Sequence, residues 1–167
     1  NRSTDEPVLK LLASIGRSKK DNLPWFSLSL DLKAAFDSIP ICFIQLAGES
    51  LGIPKPVLKW FTHYQKKARI HISLAQNKGS EYVFSPKQGV AQGSVEGPTF
   101  FIWIINILIK MINFDLERRG ISDQIADENL IISAFADDII LTSTSLQELL
   151  KSFSVVEKFL LATGMKL

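Results

Sequence analysis

The stretch SAFADDIILTST, residues 133–144, places two adjacent aspartates, Asp137 and Asp138, inside an almost wholly apolar run. Charged carboxylates in such a setting are costly unless something positive meets them. A third aspartate, Asp31, lies near the end of the run WFSLSLDL at 25–32, where apolar and polar residues alternate. If the two runs lie side by side, three carboxylates converge at one edge of a sheet, and like charges that close repel. A hard divalent cation relieves the repulsion, because Mg²⁺ prefers oxygen ligands and keeps room for substrate phosphates. Two such ions about 3.5–4 Å apart can activate an attacking hydroxyl and stabilise a leaving phosphate oxygen. The competing reading of an Asp-Asp pair is a solvated turn. The flanking Phe135 and Ile139 weigh against it, but periodicity alone leaves both readings open.

The elements that would hold these residues can be read from period and punctuation. In 25–32, Phe26, Leu28, Leu30 and Leu32 share one face, and Trp25, Ser27, Ser29 and Asp31 share the other, which sets Asp31 on the polar side of a strand. Residues 130–143 read as two short strands meeting at 136–138. Ahead of them, 6–20 reads as a helix with Val8, Leu11, Leu12 and Ile15 on its apolar side, ended by Gly16 and the basic Arg17, Lys19 and Lys20. A helix pair is expected at about 41–50, stopped by Gly52, and at about 56–67. Residues 69–85 read as a hairpin turning at 77–79. A long helix should run from about Pro98, suited to a first turn, to Arg119, with Gly120 after it. Ser145 and Glu148 form a capping box for a last helix that reaches about Thr163 and stops at Gly164.

Composition sets wider bounds. The chain has 167 residues, 46% of them hydrophobic, which suits one domain over 1–167 with a packed core and argues against disorder. A net charge of +2 is too small by itself to assign a nucleic-acid partner. The single cysteine, Cys42, excludes an internal disulfide and a Cys-based zinc cluster, and reads as a small buried side chain. The most apolar run, 99–109, is shorter than the roughly 20 residues that span a bilayer and is interrupted by Asn106. A core helix is expected there, and no membrane partner. The polar start, NRSTDEPVLK, lacks an initiating Met and reads as a piece of a longer protein.

Four segments together resemble the reverse transcriptase domain, most closely that of non-LTR retrotransposons. SLSLDLKAAFDSI looks like the family's first catalytic motif, an aspartate followed by KAFD. GVAQGSVEGPTFF, residues 89–101, looks like GVPQGSVLGPLLF. FADD looks like the [FY]-A-D-D box, and ATGMKL like the Gly-hydrophobic-Lys segment after it. The motifs stand in the family's order and cover nearly the whole chain. The resemblance implies an α+β fold, a right-hand polymerase palm with partial fingers, its small antiparallel sheet packed on helices. It implies an RNA-directed DNA polymerase that joins dNTPs to a DNA primer 3′-hydroxyl on an RNA (or DNA) template, with two Mg²⁺ ions or Mn²⁺ in their place. By position, Asp31 and Asp137 would be the metal-binding carboxylates, Asp138 their neighbour, and the Leu32 carbonyl a further metal contact. Phe36 would be the steric gate against a ribose 2′-hydroxyl, with a plain core aromatic as the rival reading. Gln92 and Gly93 would touch nucleotide and template. Lys166 would lie near the triphosphate, possessing either the role of proton donor to pyrophosphate or that of a solvated charge. Asp37 recurs in the motif and is expected to be structural.

Basic residues Lys55, Lys59, Lys66, Lys67 and Arg69 gather on and after the second helix of the pair, with Trp60 and Tyr64 among them. They either track a nucleic-acid backbone or form a solvated helix face. Departures from the family pattern are Ala91 for Pro, Glu96 for a hydrophobic residue and Ile107 for Asp. No match to the early fingers motifs is found, and no room for a thumb follows Leu167. The chain is therefore expected to need the missing fingers and thumb of its parent polyprotein, and to be weakly active or inactive alone. A decayed or domesticated copy, kept as a nucleic-acid-binding module, is the alternative, and another palm-type polymerase or a cyclase the third. No targeting signal is present, so the nucleus is expected only for a eukaryotic element.

Overall fold

The computed structural model describes residues 5–73, 81–90, 94–121, 130–135 and 138–167. In chain order the elements are α1 (Asp5–Lys20), β1 (Phe26–Asp31), α2 (Ala35–Ser38), α3 (Ile41–Ser50), α4 (Lys55–Lys67), β2 (Ile70–Ser73), β3 (Glu81–Phe84), α5 (Gly97–Arg118), β4 (Leu130–Phe135), β5 (Asp138–Ser143) and α6 (Leu146–Thr163). The chain divides into two compact units, one of residues 1–35 and 105–167, the other of residues 36–104.

The first unit is built on a three-stranded antiparallel sheet in the order β1-β5-β4. β1 alternates as the sequence requires: Leu30 is buried while Ser27, Ser29 and Asp31 are exposed. Opposite it, Ile139 and Leu141 of β5 are buried on the same face as Leu30 and Leu28. Helix α6 packs against β1 and β5, burying Leu149, Val155, Val156 and Phe159. Its ends follow the capping rules. The Ser145 hydroxyl accepts from the Glu148 amide at 3.4 Å, and Gly164 closes the helix at φ 72°, a conformation that favours glycine.

Helix α1 differs from its expected pattern. Val8 and Leu12 are exposed, and the helix instead buries Ser14 and Ser18. The reason is local satisfaction. Ser18 donates to the Leu23 carbonyl at 2.7 Å, and Ser14 accepts from the Trp25 indole at 3.3 Å, so both hydroxyls are partnered where the chain turns back into β1. Gly16 does not end the helix, which continues to Lys20.

The second unit centres on α3, α4 and the start of α5. Phe61 and Phe100 pack with ring centroids 3.9 Å apart, and Trp103 meets Phe100 edge-on at 5.1 Å. Gly48 lets α3 approach α4, since a Cβ there would run into Leu58 and lie 3.1 Å from Trp103. The face of α3 that is buried is Ile44, Ala47 and Gly48. Cys42 falls outside it and is exposed, contrary to the buried side chain expected from its type. Strands β2 and β3 form a two-stranded antiparallel ribbon; the turn expected at 77–79 lies outside the described residues.

By length and composition α5 could cross a membrane. In this fold it carries a buried row, Phe100, Phe101, Ile104, Ile105, Leu108, Ile112 and Leu116, at the three-and-four spacing of a core helix.

Candidate nucleotidyl-transfer site

The decisive register is that of β1 against β5. Phe26 stands opposite Ser143, and the pairing continues residue by residue until Asp31 faces Asp138. Directly opposed residues of an antiparallel pair point to one face with Cβ atoms about 4.5–5.5 Å apart. The two carboxylates, distant in sequence, therefore share one edge of the sheet, and both are exposed. Like charges placed so are destabilising, and among the described residues neither has an ion-pair partner. No third His, Cys, Asp or Glu among the described residues completes a group around them. Asp137 precedes Asp138 in the chain and lies outside the described residues, as do Ala91, Gln92 and Gly93.

The alternation carries on past β1. Leu32 is buried, 1% exposed, and anchors the strand end, while Lys33 is exposed beyond it. Lys33 pairs with Lys166 in an antiparallel bridge, its amide donating to the Lys166 carbonyl at 2.9 Å. Met165 is buried and Lys166 exposed. The segment after α6 is thus stitched beside Asp31, and Lys166 joins the two aspartates on one exposed edge. Lys33 completes this set. It lies within the first motif without a role expected of it, but the period of two that exposes Asp31 also exposes the residue two positions on. Ala34 then turns the chain at φ 47°, in the left-handed region.

Phe36 belongs to the second unit, where its ring stacks on Phe101 at 5.1 Å. It is half-buried rather than sealed in the core. The backbone before the Gln92 loop is strapped to α2. The Gly89 amide donates to the Ile39 carbonyl at 2.7 Å and the Val90 amide to the Phe36 carbonyl at 2.9 Å. Gly89 lies at φ 85°, and a Cβ there would come within 2.8 Å of the Asp37 carbonyl oxygen. The motif's first glycine is thus required by a close backbone crossing, and the Asp37 backbone forms its other side. Lys59, Lys66, Lys67 and Arg69 are exposed on and just after α4.

A profile described as reverse transcriptase (RNA-dependent DNA polymerase) matches residues 2–167. The chain belongs to the reverse transcriptase family. Its fold is similar to that of apo telomerase from Candida tropicalis truncated from the C-terminal domain, with a TM-score of 0.72 at 20% sequence identity. The match covers 94% of this reverse transcriptase domain and 32% of the telomerase chain. The expected α+β fold, a small antiparallel sheet packed on helices, is the one observed.

Proposed function

We propose that this domain is the catalytic core of an RNA-directed DNA polymerase, joining dNTPs to a DNA primer 3′-hydroxyl on an RNA template within a protein of the non-LTR retrotransposon kind. The observation that carries the proposal is Asp31 facing Asp138 across β1 and β5, in a chain of this family. Two exposed carboxylates on one strand edge, without an ion-pair partner among the described residues, are hard oxygen donors that suit Mg²⁺ or Mn²⁺. Asp31, Asp137, Asp138 and the Leu32 carbonyl would hold such ions, which when bound supply charge neutralisation at the transferring phosphate.

The chain's own residues do the rest. β1 and β5 hold Asp31 and Asp138 through paired backbone rather than through a loop, which favours a defined spacing. Lys166, held beside Lys33, offers an ammonium to the triphosphate and a proton to the departing pyrophosphate. Phe36, supported by Phe101, excludes a 2′-hydroxyl, and Gln92 and Gly93 contact nucleotide and template. Lys59, Lys66, Lys67 and Arg69 meet phosphates of the bound strands. Glu96 does not argue for a decayed copy. It stands just before α5, where its main-chain carbonyl accepts from the Phe100 amide at 3.1 Å, and an acidic residue at a helix N-terminus is stabilising.

Extension of an oligo(dT) primer on poly(rA) tests the proposal in the full parent protein. Asp31→Asn and Asp138→Asn should each lower the rate at least about a hundredfold while leaving primer–template affinity within a few fold. Retained extension by Asp31→Asn would overturn the assignment.

A further inference from the structure

The net charge hides a strong segregation. Residues 50–80 contain six Lys and Arg and no Asp or Glu, while the rest of the chain has thirteen Lys and Arg against seventeen Asp and Glu. Helix α4 lies in this segment and buries Leu58, Phe61 and Gln65. At 100° per residue its exposed side carries two rows. Lys55, Lys59 and Lys66 form one, beside a groove of about 460 Å³ shared with Gln45 and Glu49 of α3. Trp60 and Tyr64 form the other, about 140° further round.

Those two rings are stacked, centroids 5.6 Å apart and planes within 12°. Yet Trp60 is 61% exposed and Tyr64 46%, so they do not serve the core. Among the described residues none of Lys55, Lys59, Lys66 and Lys67 has an ion-pair partner. Flat rings beside unpaired cations, without an acid on the helix, match a polyanion that presents free π faces: a nucleic-acid strand with unpaired bases. A protein partner would need a dense acidic surface to match the same row.

We infer that α4 is a platform for unpaired template RNA, with a base stacking on the Trp60–Tyr64 pair and phosphates lying along Lys59 and Lys66. Of the strands a polymerase of this family handles, the template not yet copied is the one with unpaired bases. The inference rests on the polymerase reading above, and goes beyond it by naming the bases' contact and the strand.

Anisotropy of a short labelled oligo(A) RNA with the full chain tests it across a salt series. W60A/Y64A should weaken binding at least about tenfold without changing the slope of log K against log[salt]. W60F/Y64F, which keeps both rings, should bind like the parent. K59Q/K66Q should flatten the slope by roughly 1.4, two phosphates' worth for a single strand. A pre-annealed RNA–DNA duplex should bind W60A/Y64A as it binds the parent. Parent-like RNA binding by W60A/Y64A overturns the platform, as does an equal loss for duplex and single strand. So does a dimer in light scattering that W60A/Y64A abolishes, which would make the face a contact between copies. If Asp31→Asn destroys extension while W60A/Y64A binds normally, the polymerase stands and the platform falls. If the ring variant loses RNA while Asp31→Asn still extends, the platform stands and the catalytic assignment falls.

Discussion

Single residues at this site are held by backbone more than by side chains. Asp31 and Asp138 are fixed by a strand register, Lys166 by a carbonyl that accepts from Lys33, and the 89–90 segment by two amides donating to Phe36 of α2 and to Ile39 just after it. Gly89 is the most exposed to substitution. Its positive φ alone costs another residue about 1–2 kcal/mol, and the crowding atoms belong to the Asp37 backbone, which cannot rotate away. Gly89→Ala should therefore lower stability by about 2 kcal/mol or more, seen as a melting temperature reduced by at least about 4 °C. A melt that overlays the parent's would show that the crossing can relax.

At the scale of elements, the sequence was most informative where one face is apolar and the other polar. The period of two in β1 and the residue pattern of 130–143 located the strands, and the alternation put Asp31 on the outer face before any pairing was known. The α3 helix, the start and stop of α6 and the end of α5 at Gly120 followed from caps and glycines. Three things were not legible. α1 hides two serines instead of its leucines, because hydroxyl partners in the following turn reward that orientation. The exposure of Cys42 depends on which stripe of α3 meets α4, which composition does not contain. The bridge between Lys33 and Lys166 is a contact between segments far apart in the chain, and Lys33 was missed with it. The α6 cap is a direct test of the local rules. Ser145→Ala removes the acceptor for the Glu148 amide and should cost about 1 kcal/mol, measurable as a lower urea midpoint with an unchanged m-value.

Across the whole molecule, a chain of charges ties the end of α5 to the start of α6. Asp115 pairs with Arg119 at 3.0 Å, Arg119 with Glu148, and Glu148 with Lys151 at 3.0 Å. Burial acts to raise the Glu148 pKa, but the Lys151 hydrogen bond and the Arg119 charge outweigh it and hold the carboxyl below its usual value. A carboxylate depressed on folding contributes stability above its unfolded pKa, about 4.3, and loses that contribution as pH falls through the folded value. Glu148→Gln should thus be about 1–2 kcal/mol less stable than the parent at pH 7, with the gap closing as pH is lowered through and below the unfolded value. Urea titrations of both proteins over this pH range would show it. A gap independent of pH would mean the pair holds α5 to α6 by packing alone.

The β1–β5 register has a consequence for how the molecule is made. The central strand of the sheet is synthesised more than a hundred residues after the edge strand it must join, a delay of roughly 5–20 s on a ribosome. Through that interval β1 emerges with its leucines bare and its hydrogen-bonding edge open, while residues 36–104 have already been delivered in full. Asp31, one of the proposed metal ligands, therefore sits on a strand that must wait for its partner, and expression hosts that translate quickly should return this chain in a soluble form more often than slow ones.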